Sequence, residues 1–205
     1  MDRPDFNLFD AFRIFDYDNR GFITKVDLKL GLNDLNLFPS QDDMDLFFAR
    51  YDSNGDLRLR FSEFCKAFEP QDSYQAGILN RRSTNGPHSH LRRSDCFLES
   101  TKQEFRQAWR SHFNCEQQAE LLRQRMQRNP ALNPYDCFEA LDLDGNGAIT
   151  RDELRRMIES RGFYVSYKDM DSLVEKFDKN KDGRITYGEF REEMAPKSPP
   201  RRPLF

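Results

Sequence analysis

The 205-residue chain lacks most of what would commit it to catalysis, secretion or a membrane. No run of about 18 apolar residues occurs, so no helix is expected to span a bilayer. The start, MDRPDFNLFD, has no basic segment followed by an apolar one, and no secretion signal is expected. Neither G-x-x-x-x-G-K-[ST] nor H-E-x-x-H is present, and no nucleophile is paired with a base, which argues against an enzyme. A large excess of one charge sign is also missing, with 32 basic against 35 acidic residues. The formal net charge is −3, which gives no electrostatic basis for nucleic-acid binding. The four cysteines, Cys65, Cys96, Cys115 and Cys137, show no C-x-x-C spacing, and a reducing, cytoplasmic setting is expected.

What the chain does have is an internal repeat. Four acidic loops begin at Asp16, Asp52, Asp142 and Asp178, with 36 residues from the first to the second and again from the third to the fourth. Ninety residues separate the two pairs, which implies two equivalent units and an insertion. Apolar residues precede the loops at helical spacing: Leu8, Phe12 and Phe15 before the first, Phe138 and Leu141 before the third. Ser40 with Asp43, Thr150 with Glu153 and Thr186 with Glu189 have the spacing of capping boxes, so helices are expected to start there. Ile23, Leu59, Ile149 and Ile185 recur at the eighth loop position, where a short strand can pair each loop with its neighbour.

Charge follows the same division. Residues 1–70 carry 9 basic against 14 acidic side chains, and residues 131–195 carry 10 against 15. Residues 71–130 reverse the balance with 10 against 6, and residues 196–205 carry 3 against none. Two acidic blocks joined by a basic one suggest pairing of opposite fields, internally or with a partner.

The loops DLDGNGAITRDE and DKNKDGRITYGE resemble those of the EF-hand family, and their arrangement in pairs resembles its calmodulin-like, two-lobed members. The resemblance implies an all-α fold with two EF-hand pairs, four helix-loop-helix units in all. It also implies Ca²⁺ bound by side-chain oxygens at positions 1, 3 and 5, a carbonyl at 7 and a bidentate Glu at 12, with Gly at 6 for the turn. On that pattern the third loop offers Asp142, Asp144, Asn146, the Ala148 carbonyl and Glu153, and the fourth offers Asp178, Asn180, Asp182, the Arg184 carbonyl and Glu189. Two Ca²⁺ sites are expected there, with Mg²⁺ a candidate occupant at rest.

The second loop keeps Asp52, Asn54, Asp56, the Arg58 carbonyl and Glu63, but has Leu57 at position 6 and its glycine, Gly55, at position 4. A side chain forced into the left-handed region costs roughly 1–2 kcal/mol, which would weaken binding about ten-fold. A third site is left open at this loop. The first loop has Asp16, Asp18 and Gly21, but Arg20 replaces a ligand and Asp27 the closing Glu, so a structural role is expected. The carboxyl-terminal pair would then be the Ca²⁺-responsive one and the amino-terminal pair a constitutive platform.

Four segments follow: 1–70, an EF-hand pair with degenerate loops; 71–130, a connector; 131–195, a pair with intact loops; and 196–205, a basic proline-rich tail. The stretch Gln71–Asp95 reads as extended, with His88 and His90 solvated. Within the connector, 101–128 reads as a basic amphipathic helix: Phe105, Ala108, Trp109, His112 and Phe113 share a face, and Ala119, Leu122 and Met126 continue it. Arg106, Arg110, Arg123, Arg125 and Arg128 supply charge. That helix can pack as core against a lobe, dock in a Ca²⁺-dependent way like a target helix, or bind another protein. The tail reads as a disordered end or as a peptide laid on an acidic partner such as tubulin.

The connector phrases LNRR, Cys96-Phe97 and FRQAWR look like those of multi-EF-hand proteins of ciliary and flagellar axonemes. This second resemblance implies a cytoskeletal, axonemal component with tubulin or other axonemal proteins as partners. The alternatives are a regulatory subunit of a kinase or phosphatase and a cytosolic Ca²⁺ sensor or buffer.

Overall fold

The computed structural model describes residues 3–70, 72–85 and 93–198. His88 and His90, Gln71, and the tail from Pro199 onward lie outside the described residues. The chain forms two compact units, 1–119 and 120–205.

Unit 1 opens with α1 (Leu8–Arg13), β1 (Phe22–Ile23), α2 (Lys25–Asp34), α3 (Gln41–Tyr51), β2 (Leu59–Arg60) and α4 (Phe61–Phe68). Helix α3 starts where expected: Ser40 Oγ accepts the Asp43 N–H, and the Asp43 carboxylate accepts the Ser40 N–H in return. Thr24 and Asp27 form the same reciprocal cap on α2. The strands pair antiparallel with Ile23 opposite Leu59, as the eighth-position pattern requires.

The stretch expected to be extended is instead partly helical. It contains α5 (Ser73–Asn80) and a 3₁₀ turn (Arg93–Cys96). Its backbone is tied to the start of the chain: the Arg82 guanidinium donates to the Arg3 and Phe6 carbonyls, and the Asn85 N–H donates to the buried Asp10 carboxylate.

A 30-residue helix, α6 (Glu99–Arg128), begins two residues before the expected boundary, and its first part belongs to unit 1. Phe105 and Trp109 are fully buried in an aromatic core with Phe6, Phe15, Phe47 and Phe64. The Trp109 ring lies 4.8 Å from Phe47, 4.9 Å from Phe68 and 5.3 Å from Phe15, centroid to centroid. Of the readings open for this helix, its first part takes the first: it is core. His112 adds polar ties, with Nε2 2.6 Å from the Ala67 carbonyl oxygen on α4 and Nδ1 3.2 Å from the Tyr51 hydroxyl at the end of α3.

Unit 2 contains the end of α6 and then α7 (Pro134–Glu139), β3 (Ala148–Thr150), α8 (Arg151–Ser160), α9 (Tyr167–Phe177), β4 (Arg184–Thr186) and α10 (Tyr187–Met194). Thr150 with Glu153 and Thr186 with Glu189 close capping boxes on α8 and α10. Strands β3 and β4 pair with Ile149 opposite Ile185, above a core that includes Phe138, Leu141, Met170 and Phe190.

The second half of α6 departs from the expected seam. Leu122 is exposed, whereas Glu120, Arg123 and Gln124 are buried. Arg123, expected among the charges of the basic helix, donates through Nη2 to Glu193 Oε1 at 2.9 Å and through Nε to the Glu193 carbonyl at 2.9 Å. Among the described residues no helix is long and apolar enough to cross a membrane.

Candidate metal centre

Each loop joins the end of one helix to the start of the next, and the first loop residue organises its backbone. In the third loop the Asp142 carboxylate accepts the N–H groups of Asn146 at 3.1 Å and Gly147 at 2.8 Å. Asp144 accepts the Asn146 N–H, and the Asn146 side-chain oxygen accepts the Ala148 N–H at 2.9 Å. Glu153 reaches back across the loop, with Oε1 accepting the Leu143 N–H at 2.9 Å and Oε2 the Thr150 N–H at 2.8 Å. The fourth loop repeats this frame with Asp178 on Asp182 and Gly183, Asn180 on Asp182, Asp182 on Arg184, and Glu189 on Lys179 and Thr186.

The ligand atoms of Asp142, Asp144 and Glu153 all lie within 4.8 Å of one another. Oxygens bound to one Ca²⁺ at roughly 2.3–2.6 Å can be at most about 5 Å apart, so this set fits the ion. It is the one place among the described residues where three His, Cys, Asp or Glu side chains converge so closely.

The closing glutamates are held in the form that binds a cation. Burial pushes the Glu153 carboxyl up, but bonds from the Thr150 hydroxyl and N–H and from the Asp144 and Leu143 N–H groups outweigh it, leaving the pKa below the usual glutamate value. Glu189 is lowered in the same way, with burial opposed by bonds from Thr186, Lys179 and Asn180.

The second loop has a similar frame, except that its first residue accepts the position-4 N–H where the third and fourth loops use position 5. Asp52 accepts the Gly55 and Leu57 N–H groups, each at 2.8 Å, Asn54 accepts the Asp56 N–H and Asp56 the Arg58 N–H, and Glu63 accepts those of Ser53 and Arg60. Leu57 sits at φ +59°, in the left-handed region expected of it, and Gly55 at +70°. The other loops also turn left-handed at positions 4 and 6, so the second loop has exchanged its glycine between two positions with the same demand.

The first loop differs in what fills it. Its Arg20 guanidinium pairs with Asp27 at position 12 and lies 3.8 Å from Asp18 at position 3, while Asp16 holds the Arg20 and Gly21 N–H groups. A tethered cation therefore stands among carboxylates at positions expected to be metal ligands in the third and fourth loops. The sequence shows the arginine, but its turn inward onto Asp27 becomes visible only in the folded loop.

A model of the EF-hand domain pair matches residues 5–69 and 135–195, which together make up more than half of the chain. The chain belongs to the EF-hand domain pair family. This EF-hand protein is 26% identical over 181 residues to the probable calcium-binding protein CML11 of Oryza sativa subsp. japonica. That match covers 88% of this chain and 62% of the relative, so the chain spans less than two thirds of the relative's length. It is 25% identical to the putative calmodulin-like protein 6 of the same plant, covering 90% of this chain and 79% of that one. It is 22% identical to troponin C, isoform 2A, of Homarus americanus, covering 90% and 89%. The protein is calmodulin-like and binds Ca²⁺.

Proposed function

We propose that this EF-hand protein is a Ca²⁺-responsive interaction component in which unit 2 carries the response and unit 1 is a constitutive platform. The observation that carries the reading is the shared hydrogen-bond frame of the third and fourth loops, each with a closing glutamate held ionised. Asp142, Asp144, Asn146, the Ala148 carbonyl and Glu153 hold one ion, and Asp178, Asn180, Asp182, the Arg184 carbonyl and Glu189 the other. The second loop, through Asp52, Asn54, Asp56, the Arg58 carbonyl and Glu63, takes a third more weakly, and Mg²⁺ competes at rest. Bound Ca²⁺ takes Glu153 and Glu189 as closing ligands and so fixes the starts of α8 and α10, where the two residues stand.

Unit 1 is a platform because α6 already fills its aromatic interior. The four segments divide the labour: 1–70 and 131–195 are the paired loops, 71–130 supplies the helix, and 196–205 is an appendage. The protein acts in the cytoplasm, on protein partners, without catalysis of its own.

Isothermal titration of the wild type beside Glu153→Gln and Glu189→Gln tests this. Two sites in the sensor range of about 10⁻⁷ to 10⁻⁵ M, at most one weaker site, and the loss of one strong site per substitution are expected. Absence of Ca²⁺ uptake by residues 120–205 in the folded full chain refutes it. A second reading, attachment to tubulin within an axoneme, rests on the LNRR and FRQAWR phrases. It requires co-sedimentation with microtubules that survives chelation. Recovery of a kinase or phosphatase in its place would make the chain a regulatory subunit.

A further inference from the structure

After α10 the chain is tied back onto the second half of α6 by one buried carboxylate. Glu120, 5% exposed, accepts the Lys197 N–H at 3.0 Å, the Ser198 N–H at 3.1 Å and the Ser198 hydroxyl at 2.7 Å. Gln124 Nε2 donates to Glu120 at 3.1 Å and to Ser198 Oγ at 2.9 Å, and Arg123 Nη1 lies 3.4 Å from Glu120 Oε2. Burial pushes the Glu120 carboxyl up, but bonds from Lys197, Ser198 and Gln124 bring it below the ordinary value, so it sits there as an anion. The latch lies beside an apolar groove of about 240 Å³ whose lining includes Met126, Phe190, Met194 and Pro196.

The residue that closes this latch is followed in the chain by Pro199, Pro200, Arg201 and Arg202. A serine before proline is biased to extended backbone, and the proline offers no N–H to compete for. That is the form in which a proline-directed protein kinase reads its substrate, with a basic residue three positions on as a second handle. The four hydrogen bonds that hold Lys197 and Ser198 to Glu120 and Gln124 open locally far more readily than the core does, which would give such an enzyme access.

We propose that Ser198 is a phosphorylation site for a proline-directed kinase and that a phosphoryl group there releases residues 195–198 from Glu120. In the transfer, Ser198 Oγ forms a bond to the γ-phosphorus of a nucleoside triphosphate. The bond from that phosphorus to the β,γ-bridging oxygen breaks, the diphosphate leaves, and the hydroxyl proton passes to the kinase's base. The product replaces a donor by a group of charge about −1.5 to −2, placed against a buried carboxylate that has lost its hydroxyl partner. Arg123 gives it little compensation, because that guanidinium is committed to Glu193 through Nη2 and Nε and to Glu120 through Nη1. Release frees Pro196, one wall of the groove, and loosens the chain directly behind the helix that follows the fourth loop.

The test uses the full chain, a proline-directed kinase, ATP and mass spectrometry, followed by amide exchange. One phosphoryl group at Ser198, absent in Ser198→Ala, is expected. Exchange at the Lys197 and Ser198 amides is expected to quicken by about ten-fold or more on phosphorylation. In Glu120→Gln, whose amide can donate to the phosphate, phosphorylation should change exchange by less than about three-fold. No incorporation at Ser198 overturns the proposal. So does exchange that is unchanged or slowed, which would mean that Arg123 captures the phosphate and tightens the latch. An equal acceleration in Glu120→Gln overturns the electrostatic mechanism.

Discussion

Replacing Leu57 by glycine separates strain borne by folding from strain borne by binding. Leu57 holds φ +59° while its N–H donates to Asp52, as the position-6 N–H does in the third and fourth loops, and the Asn54–Asp56 and Asp56–Arg58 bonds match theirs. The left-handed turn is thus part of the folded loop, and its cost falls on folding. A side chain there costs roughly 1–2 kcal/mol, and the greater freedom of glycine in the unfolded chain returns about 0.5–1 kcal/mol of that. Leu57 is 61% exposed, so its removal forfeits little burial. Leu57→Gly should therefore stabilise unit 1 by about 0.5–1 kcal/mol, a rise in Tm of about 2–5 °C. Its Ca²⁺ affinity should stay within about three-fold of the wild-type value, since free and bound loops carry the same strain. Thermal unfolding followed by Trp109 emission gives the first quantity, and calorimetry in a Glu153→Gln/Glu189→Gln background gives the second. A Tm that does not move beside an affinity that tightens ten-fold would refute the reasoning, because it would place the strain in the binding step.

Three further outcomes follow from unit 1. Gly31→Ala would drive a Cβ into Phe15 Cδ1, on a ring that is fully buried, so denaturant melts should show a loss of about 1–2 kcal/mol despite the better helix former. His112 has its pKa lowered from 6.5, chiefly by burial and against the Ala67 hydrogen bond, so the unfolded chain takes up the proton first as pH falls. The stability due to the neutral ring is then whole above pH 6.5 and lost as pH drops below it towards the folded value, and Tm measured between pH 7.5 and 5.5 should fall more steeply in wild type than in His112→Gln. Trp109 is 0% exposed within the aromatic core, so Ca²⁺ added to the folded protein should leave its emission maximum in place; a red shift would show that α6 leaves unit 1.

Much of this was legible before folding was considered. Ligand spacing, capping residues and the eighth-position apolar pattern are local, and Ser40, Thr150, Thr186, Ile149 and Ile185 behave as those rules require. Leu57 likewise takes the conformation its position demands. Long-range pairing was not legible. Arg123 reads as a solvated charge because helical periodicity says nothing of Glu193, 70 residues away, and Glu120 has its partners at Lys197 and Ser198. Ser73–Asn80 is only eight residues long and carries Gly77 at its middle, so it does not announce a helix, and the anchoring of Arg82 and Asn85 to residues 3–10 depends on carbonyls and a carboxylate far off in sequence.

The short bridges between loops, Ile23 with Leu59 and Ile149 with Ile185, make neighbouring loops share their backbone order. On the proposed assignment of two Ca²⁺ sites to unit 2, the loop that fills first pays most of the ordering entropy for both, which is the condition for positive cooperativity between two exchangeable ions. In unit 1 the Arg20 guanidinium stands between Asp18 and Asp27 in a partly exposed ion pair that opens and closes in place. The second loop then has no second exchangeable ion to couple to, so any Ca²⁺ uptake there should trace a plain hyperbola.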